Sequence, residues 1–243
     1  MSDFLLQIEG YCPICEKHTV FTARDQWYRG SLSCPTCENG SVPRERAVAL
    51  ILNEQFPNWR DLTIHECSPA IRGISAKIRR EAKNITQTHF YPDLERGSTA
   101  RDYRNEDLQH LTFSDNQFDL FISLDVMEHI PDPAAAFKEI HRTLKPGGYM
   151  LCAWPVRKDQ VEAMERRVTF NSDGTLTHHK PPEYHGNPIN GDGALVTVDY
   201  GYEVHKKLTH WAGFDVRVHR FADRTHGILG EYTEVFLARK RTD

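Results

Sequence analysis

The run from Phe118 to Trp154 constrains the fold more than any other stretch of this chain. Phe118–Leu124 is apolar except at Asp119 and Ser123, as expected of a strand buried on both faces. Pro131-Asp132-Pro133 interrupts it. Ala136, Phe137, Ile140 and Leu144 then recur at helical spacing and make an apolar stripe. Lys145-Pro146-Gly147-Gly148 ends that helix, and Tyr149–Trp154 reads as the next strand. A strand, a crossover helix and a second strand of this kind build a parallel sheet.

The alternation holds from Asp61 onward. Leu62–Glu66 is expected as strand one, Ile71, Ile74, Ile78 and Ala82 as the apolar stripe of the first helix, and Ile85–Phe90 as strand two. Trp211–Phe221 and Glu231–Lys240 read as a closing antiparallel hairpin with Gly213 and Gly230 at the strand starts. Ser172–Asn190 is irregular and reads as a long loop or lid. The 243 residues accommodate one such domain plus a small module. A net charge of −4 gives no general attraction to nucleic acid or an anionic membrane. No run approaches the roughly 18 apolar residues of a membrane span. Met1–Gly10 has no basic segment followed by an apolar one, so a cytoplasmic location is expected.

Residues 1–42 differ in kind. They hold four of the six cysteines, as Cys12-Pro13-Ile14-Cys15 and Cys34-Pro35-Thr36-Cys37, separated by 18 residues. Two such turns can close a tetrahedral four-sulfur site, which suits a structural zinc with no open position. A disulfide pair or a redox Cys-x-x-Cys is the alternative. Some forty residues bury too little core to fold alone, and a metal would supply the missing energy. Ser41-Val42-Pro43 looks like a helix start, so the boundary is placed at 42/43. Residues 1–46 carry five basic and six acidic side chains, without the cationic excess that phosphate binding needs. Trp27 and Tyr28 are expected to pack on the knuckles. Cys67 and Cys152 read as small buried hydrophobes, and Lys77, Arg79, Arg80 and Lys83 as a solvated helix face.

Asp107 ahead of Leu111-Thr112-Phe113, the Phe118-Asp119 strand, His129 beyond the strand end, and the Lys-Pro-Gly-Gly turn together resemble the central half of class I S-adenosylmethionine (SAM) dependent methyltransferases of type 11. The resemblance extends more weakly over about 60–240. It implies a Rossmann-like α/β domain with a mixed seven-stranded sheet over 43–243, a lid at about 160–200, and a zinc ribbon over 1–42. It implies SAM contacts at Glu66, Ser68, Ala70, Gly73, Leu108 and Leu124, with Asp107 accepting from the adenine amine. Ser68, Ala70 and Arg72 stand where glycines are usual. No acid stands at the end of strand two, where the ribose is normally held; His89, Tyr91 and Asp93 are the substitutes.

Methyl transfer to a hydroxyl needs a proton acceptor beyond the fourth strand, and Asp125 and His129 are candidates. In the lid, Tyr184-His185-Gly186-Asn187 is the expected substrate contact, with His185 able to close over the site; His178-His179 reads as solvated. The expected activity is methyl transfer from SAM to an oxygen, ahead of a nitrogen, of a small polar metabolite or glycan. An RNA methyltransferase, or a zinc-ribbon adaptor with a degenerate methyltransferase domain, is the alternative.

Overall fold

The structure, a computed structural model, describes residues 4–187, 189 and 191–242. The chain opens with the antiparallel pair β1 (Leu6–Cys12) and β2 (Lys17–Ala23), the short helix α1 (Tyr28–Ser31) and α2 (Pro43–Gln55). Then come β3 (Thr63–Cys67), α3 (Gly73–Glu81), β4 (Asn84–His89), β5 (Thr99–Ala100), β6 (Tyr103–Asn105), β7 (Phe118–Leu124), α4 (Pro133–Thr143) and β8 (Leu144–Ala153). Short strands β9 (Met164–Arg166), β10 (Val168–Phe170), β11 (Leu176–His178), β12 (Tyr184–His185), β13 (Ala194–Leu195) and β14 (Val198–Tyr200) precede α5 (Val204–Ala212), β15 (Asp215–His219) and β16 (Val235–Arg239).

The main sheet has the order β15-β16-β8-β7-β3-β4-β6-β5. β6, β4, β3, β7 and β8 run parallel, while β16 enters antiparallel between β8 and β15. Without the two-residue edge strand β5, this is a mixed seven-stranded Rossmann-like sheet. Chain order reverses between β3 and β7, and the carboxyl ends of strands at such a switch point open a crevice. The sheet therefore places the turns after Cys67 and Leu124 side by side.

Local chemistry explains most elements. The Asp132 carboxylate accepts from the Ala135 N–H at 3.1 Å and starts α4 behind Pro133. Ala136, Phe137, Ile140 and Leu144 are fully buried. In α2, Glu45 reaches back to the Val42 N–H at 2.9 Å. The first helix begins later than its stripe suggested: α3 starts at Gly73, so Ile71 stays in the preceding turn and is exposed. Trp211 belongs to α5, which Gly213 ends in the left-handed region, so the closing strands are shorter than expected. The lid is not a bare loop. It folds into short antiparallel pairs β10–β11, β12–β13 and β14–β9; Pro188 and Asn190 lie outside the described residues.

One apolar cluster runs from Ile14, Phe21 and Leu32 of the N-terminal segment through Val48 and Ile51 of α2 to Ile64 and Ile122 of the sheet. Lys77, expected in solvent, is buried there; its ammonium donates to the Ile14 carbonyl at 2.8 Å and to Glu16 at 2.6 Å, tying α3 to the first knuckle. Gly73 has φ +56°, and a Cβ there would meet the Glu45 carboxylate at 2.4 Å. Val42 and Arg72 hold that carboxylate and prevent it from moving aside. Gly73→Ala is therefore expected to destabilise the fold by about 1–3 kcal/mol, combining left-handed backbone strain with the clash. Urea unfolding measures this, and an unchanged midpoint would count against it.

Candidate functional site

Two cavities share walls at the switch point. The smaller, about 190 Å³, lies over the turn after β3 and is lined by Glu66, Cys67, Ser68, Ala70 and Leu124 among others. The larger, about 480 Å³, lies beyond β7, with Asp125, Glu128, Arg157 and His185 on its walls and Trp27 and Tyr232 also lining it. Arg44, Arg72, Asp125 and Gly186 line both, so the two spaces are contiguous.

The turn after β3 tolerates its missing glycines through its backbone. Ser68 takes φ +50°, a conformation that glycine adopts more readily, and its N–H donates to the Thr88 carbonyl at 2.7 Å. Glu66 is buried. One carboxylate oxygen accepts from Gln87 at 2.7 Å and the other has no partner among the described residues. Burial raises its pKa above the usual carboxylate value. An orphaned buried acceptor beside a small cavity fits a ligand that donates a hydrogen bond.

The remaining cofactor candidates are dispersed. Gly73 packs against Glu45 rather than into the cavity. His89 is buried edge-on to Tyr103, and burial lowers its pKa to about 4, so it stays neutral. Asp93 and Tyr91 line a separate cavity of about 520 Å³ with Asn187 and Ile189 of the lid. Asp107 accepts from the Gln109 backbone at 2.9 Å and its side-chain amide at 3.1 Å, capping a turn. Its neighbour Glu106 is the buried acid, held by Arg104 at 2.7 Å and the Thr112 N–H at 2.9 Å. Leu108 is buried in the second apolar cluster.

Beyond β7, Asp125 has φ +54° and sits between Arg29 and Arg44, each at 2.5 Å. Burial pushes its carboxyl up, but Arg44 and Arg29 outweigh that and hold it below the usual range. This corrects the expectation of a proton acceptor: a carboxylate locked between two guanidiniums is a counter-ion and a poor base. A depressed folded pKa contributes stability that is present above the unfolded value of about 3.9 and lost as pH falls through the folded value. Asp125→Asn should therefore lower the melting temperature at pH 7 and flatten its decline below about pH 4, measured by thermal scans across pH. An acid profile matching the parent protein would refute this.

His129 and His185 do meet. The rings are edge to face at 5.2 Å between centroids, with the Glu128 carboxylate beside both. Glu128 raises the His185 pKa above the ordinary imidazole value. Tyr184 points to solvent, whereas Gly186 lines both cavities. His178 and His179 are exposed, as expected. Trp27 is half exposed at the large cleft, edge to face with Tyr232 at 6.4 Å, instead of packing on the knuckles.

No local motif in the sequence marks Arg29, Arg44, Arg157, Glu183 or Glu128 as site residues. Arg29 and Arg44 counted only as N-terminal charge, and no local spacing links them to residue 125. Arg72, at a glycine position, was a visible signal. It turns out to pair with Glu45 at 3.0 Å.

The four N-terminal cysteines converge. Cys12 and Cys37 sulfurs lie 3.5 Å apart, Cys15 and Cys34 sulfurs 3.9 Å apart, and all four lie within 4.8 Å of one another with no disulfide. Four sulfurs about 2.3 Å from one zinc stand about 3.8 Å apart, so the set fits that ion. Cys67 and Cys152 are buried in the sheet, and burial pushes the Cys67 thiol up to about 12.

The sheet order is that of a Rossmann-like α/β fold shared with solved SAM-dependent methyltransferases. Residues 74–152 match the family described as methyltransferase domain. An uncharacterized methyltransferase of Schizosaccharomyces pombe is 29% identical over 127 residues, 50% of this chain and 45% of that protein. A ubiquinone biosynthesis O-methyltransferase of Cereibacter sphaeroides is 36% identical over 70 residues, 29% of this chain and 28% of that one. The chain thus spans less than half the length of these curated relatives. An S-adenosylmethionine dependent methyltransferase from Mesorhizobium loti superposes with a TM-score of 0.51 at 16% identity, covering 80% of this chain and 98% of that one, a likeness of fold. No helix among the described residues is long and apolar enough to cross a membrane.

Proposed function

We propose that this protein transfers a methyl group from SAM to an oxygen, ahead of a nitrogen, of a small polar metabolite or glycan, and that residues 1–42 form a zinc ribbon held by Cys12, Cys15, Cys34 and Cys37. The observation that carries the reading is the pair of contiguous cavities at the switch point of a methyltransferase fold. The smaller would take the amino-acid end of SAM against the unpaired oxygen of Glu66, with Ser68, Ala70 and Leu124 allowing close approach. Bound SAM supplies an electrophilic methyl. The chain's part is to align an acceptor in the larger cleft and exclude water.

The character of that cleft favours a neutral, hydroxyl-rich acceptor. Arg29 and Arg44 pair with Asp125, Arg72 with Glu45, and Arg157 with Glu183 and Asp199. With Glu128 on the same wall, the four arginines Arg29, Arg44, Arg72 and Arg157 face four carboxylates, so the described lining has no cationic excess for a phosphate backbone. The Trp27–Tyr232 pair offers an apolar face with polar edges, suited to a sugar ring.

SAM should bind the full chain in isothermal titration, and Glu66→Gln should weaken it about tenfold or more by removing a buried acceptor. Absence of SAM binding would leave the adaptor reading. Labelled methyl appearing in RNA rather than in oligosaccharides or small hydroxylated compounds would overturn the acceptor class.

A further inference from the structure

Among the described residues, Glu128 alone has both oxygens of a buried carboxylate without a hydrogen-bond partner. It is 2% exposed and borders the large cleft. Leaving a buried carboxylate unpartnered is costly, so its environment is incomplete as it stands. What faces it is nitrogen: His185 Nδ1 at 3.4 Å and His129 Nε2 at 3.8 Å from the same oxygen.

Both imidazoles are oriented from behind. His129 Nδ1 lies 2.9 Å from the Leu195 carbonyl, so it carries the proton and donates it, leaving a lone pair on Nε2 toward Glu128. His185 Nε2 lies 3.2 Å from Glu183, which Arg157 holds in turn at 2.7 Å; with the Nε2 proton donated to Glu183, Nδ1 is the nitrogen that would ligate beside Glu128. Imidazoles whose outer N–H groups are held by a carbonyl or carboxylate are the usual arrangement around a bound metal. The backbone beneath is pinned as well: Thr197 donates to the Glu128 carbonyl at 2.8 Å and the Tyr200 hydroxyl to the Met127 carbonyl at 3.1 Å.

We propose that Glu128, His129 and His185 form a second metal site, distinct from the ribbon zinc, for a divalent first-row transition ion. The three donor atoms lie within 4.8 Å of one another. Two donors each about 2.1 Å from one ion stand at most about 4.2 Å apart, so a small shift of either ring closes the set. Two imidazoles and one carboxylate favour zinc, manganese or iron over magnesium or calcium, which prefer all-oxygen shells. Three protein donors leave positions open toward the cleft. In use, and here the inference rests on the methyl-transfer reading, such an ion would hold and polarise an acceptor hydroxyl at the strand end. This role replaces that of proton acceptor for His129 and His185.

The test uses the 243-residue chain stripped to one zinc per chain and free of SAM. Mn2+, which competes poorly for thiolates, is titrated in and the free ion followed by electron paramagnetic resonance; Zn2+ is titrated in parallel and counted by elemental analysis. One further equivalent should bind. Glu128→Gln and His185→Asn should each weaken it at least tenfold while the first zinc and the melting temperature are retained. Glu183→Gln should weaken it about tenfold through loss of orientation. No binding of either ion at millimolar concentration, as a Glu128 carboxylate neutralised only by protonated His185 would give, overturns the site. So does equal binding by the folded variants. SAM titrated into the same samples separates the two readings: SAM binding without the second metal overturns only the metal site, and metal binding without SAM supports the site and overturns methyl transfer.

Discussion

With zinc held by the four N-terminal cysteines, as proposed, stripping it with a strong chelator or replacing Cys34 with Ser is expected to abolish cooperative unfolding of the native chain or to lower its melting temperature by more than about 10 °C. The four sulfurs are buried or half-buried and share one apolar cluster with Ile14, Phe21, Leu32, Val48 and Ile51. Structural zinc in small modules binds with about 10–16 kcal/mol of apparent free energy, and that energy is coupled to folding. A whole domain is stable by only about 5–15 kcal/mol, and each kcal/mol moves the melting point of a chain this size by about 2–4 °C. The effect should reach the cleft, because Arg29, within residues 1–42, pairs with Asp125 on the cleft wall. Thermal scans and elemental analysis of the parent protein and Cys34→Ser decide it. A metal-free protein melting within about 2 °C of the parent would show that the cysteines contribute nothing structural.

Replacing Arg46 with Ala is expected to cost about 3–5 kcal/mol in urea unfolding. Arg46 is completely buried in α2, with its guanidinium 4.6 Å from the centre of the Phe21 ring. It donates to the carbonyls of Ser41 at 2.6 Å, Leu32 at 2.9 Å and Gly227 at 2.6 Å. It thus ties the chain around Leu32 and Ser41 to the turn at Gly227. Burial lowers its pKa to about 10, which still leaves it charged at neutral pH. Truncation would strand those carbonyls and leave a cavity beside Phe21. A Lys at 46 should rescue only part of the loss, since one ammonium cannot reproduce the planar fork. Loss below about 1 kcal/mol for Arg46→Ala would mean that water replaces the guanidinium.

The chain's local patterns were enough to specify the elements that short-range chemistry builds. Phe118–Leu124 is a strand because its side chains demand burial on both faces, α4 starts where Asp132 can cap it, and Cys-x-x-Cys turns form within four residues. Six of the seven main strands and the pairing of the two knuckles follow from such patterns, whereas the three-residue strand β6 (Tyr103–Asn105) carries no periodic signal. Tertiary structure alone decided the rest. Asp125 looked like a base because its partners, Arg29 and Arg44, lie more than eighty residues away in sequence. Lys77 looked solvated because its acceptor, the Ile14 carbonyl, lies 63 residues away in sequence. Glu128 and His129 are neighbours in the chain, but they gain a chemical role only where the β12 ribbon lays His185 against them. Sequence periodicity reports which face of an element must leave water, because burial of apolar surface is non-directional and local in pattern. Charge and ligation depend on distances of a few ångströms between side chains, and those distances exist only once the sheet order has brought the ends of β3, β7 and the lid together.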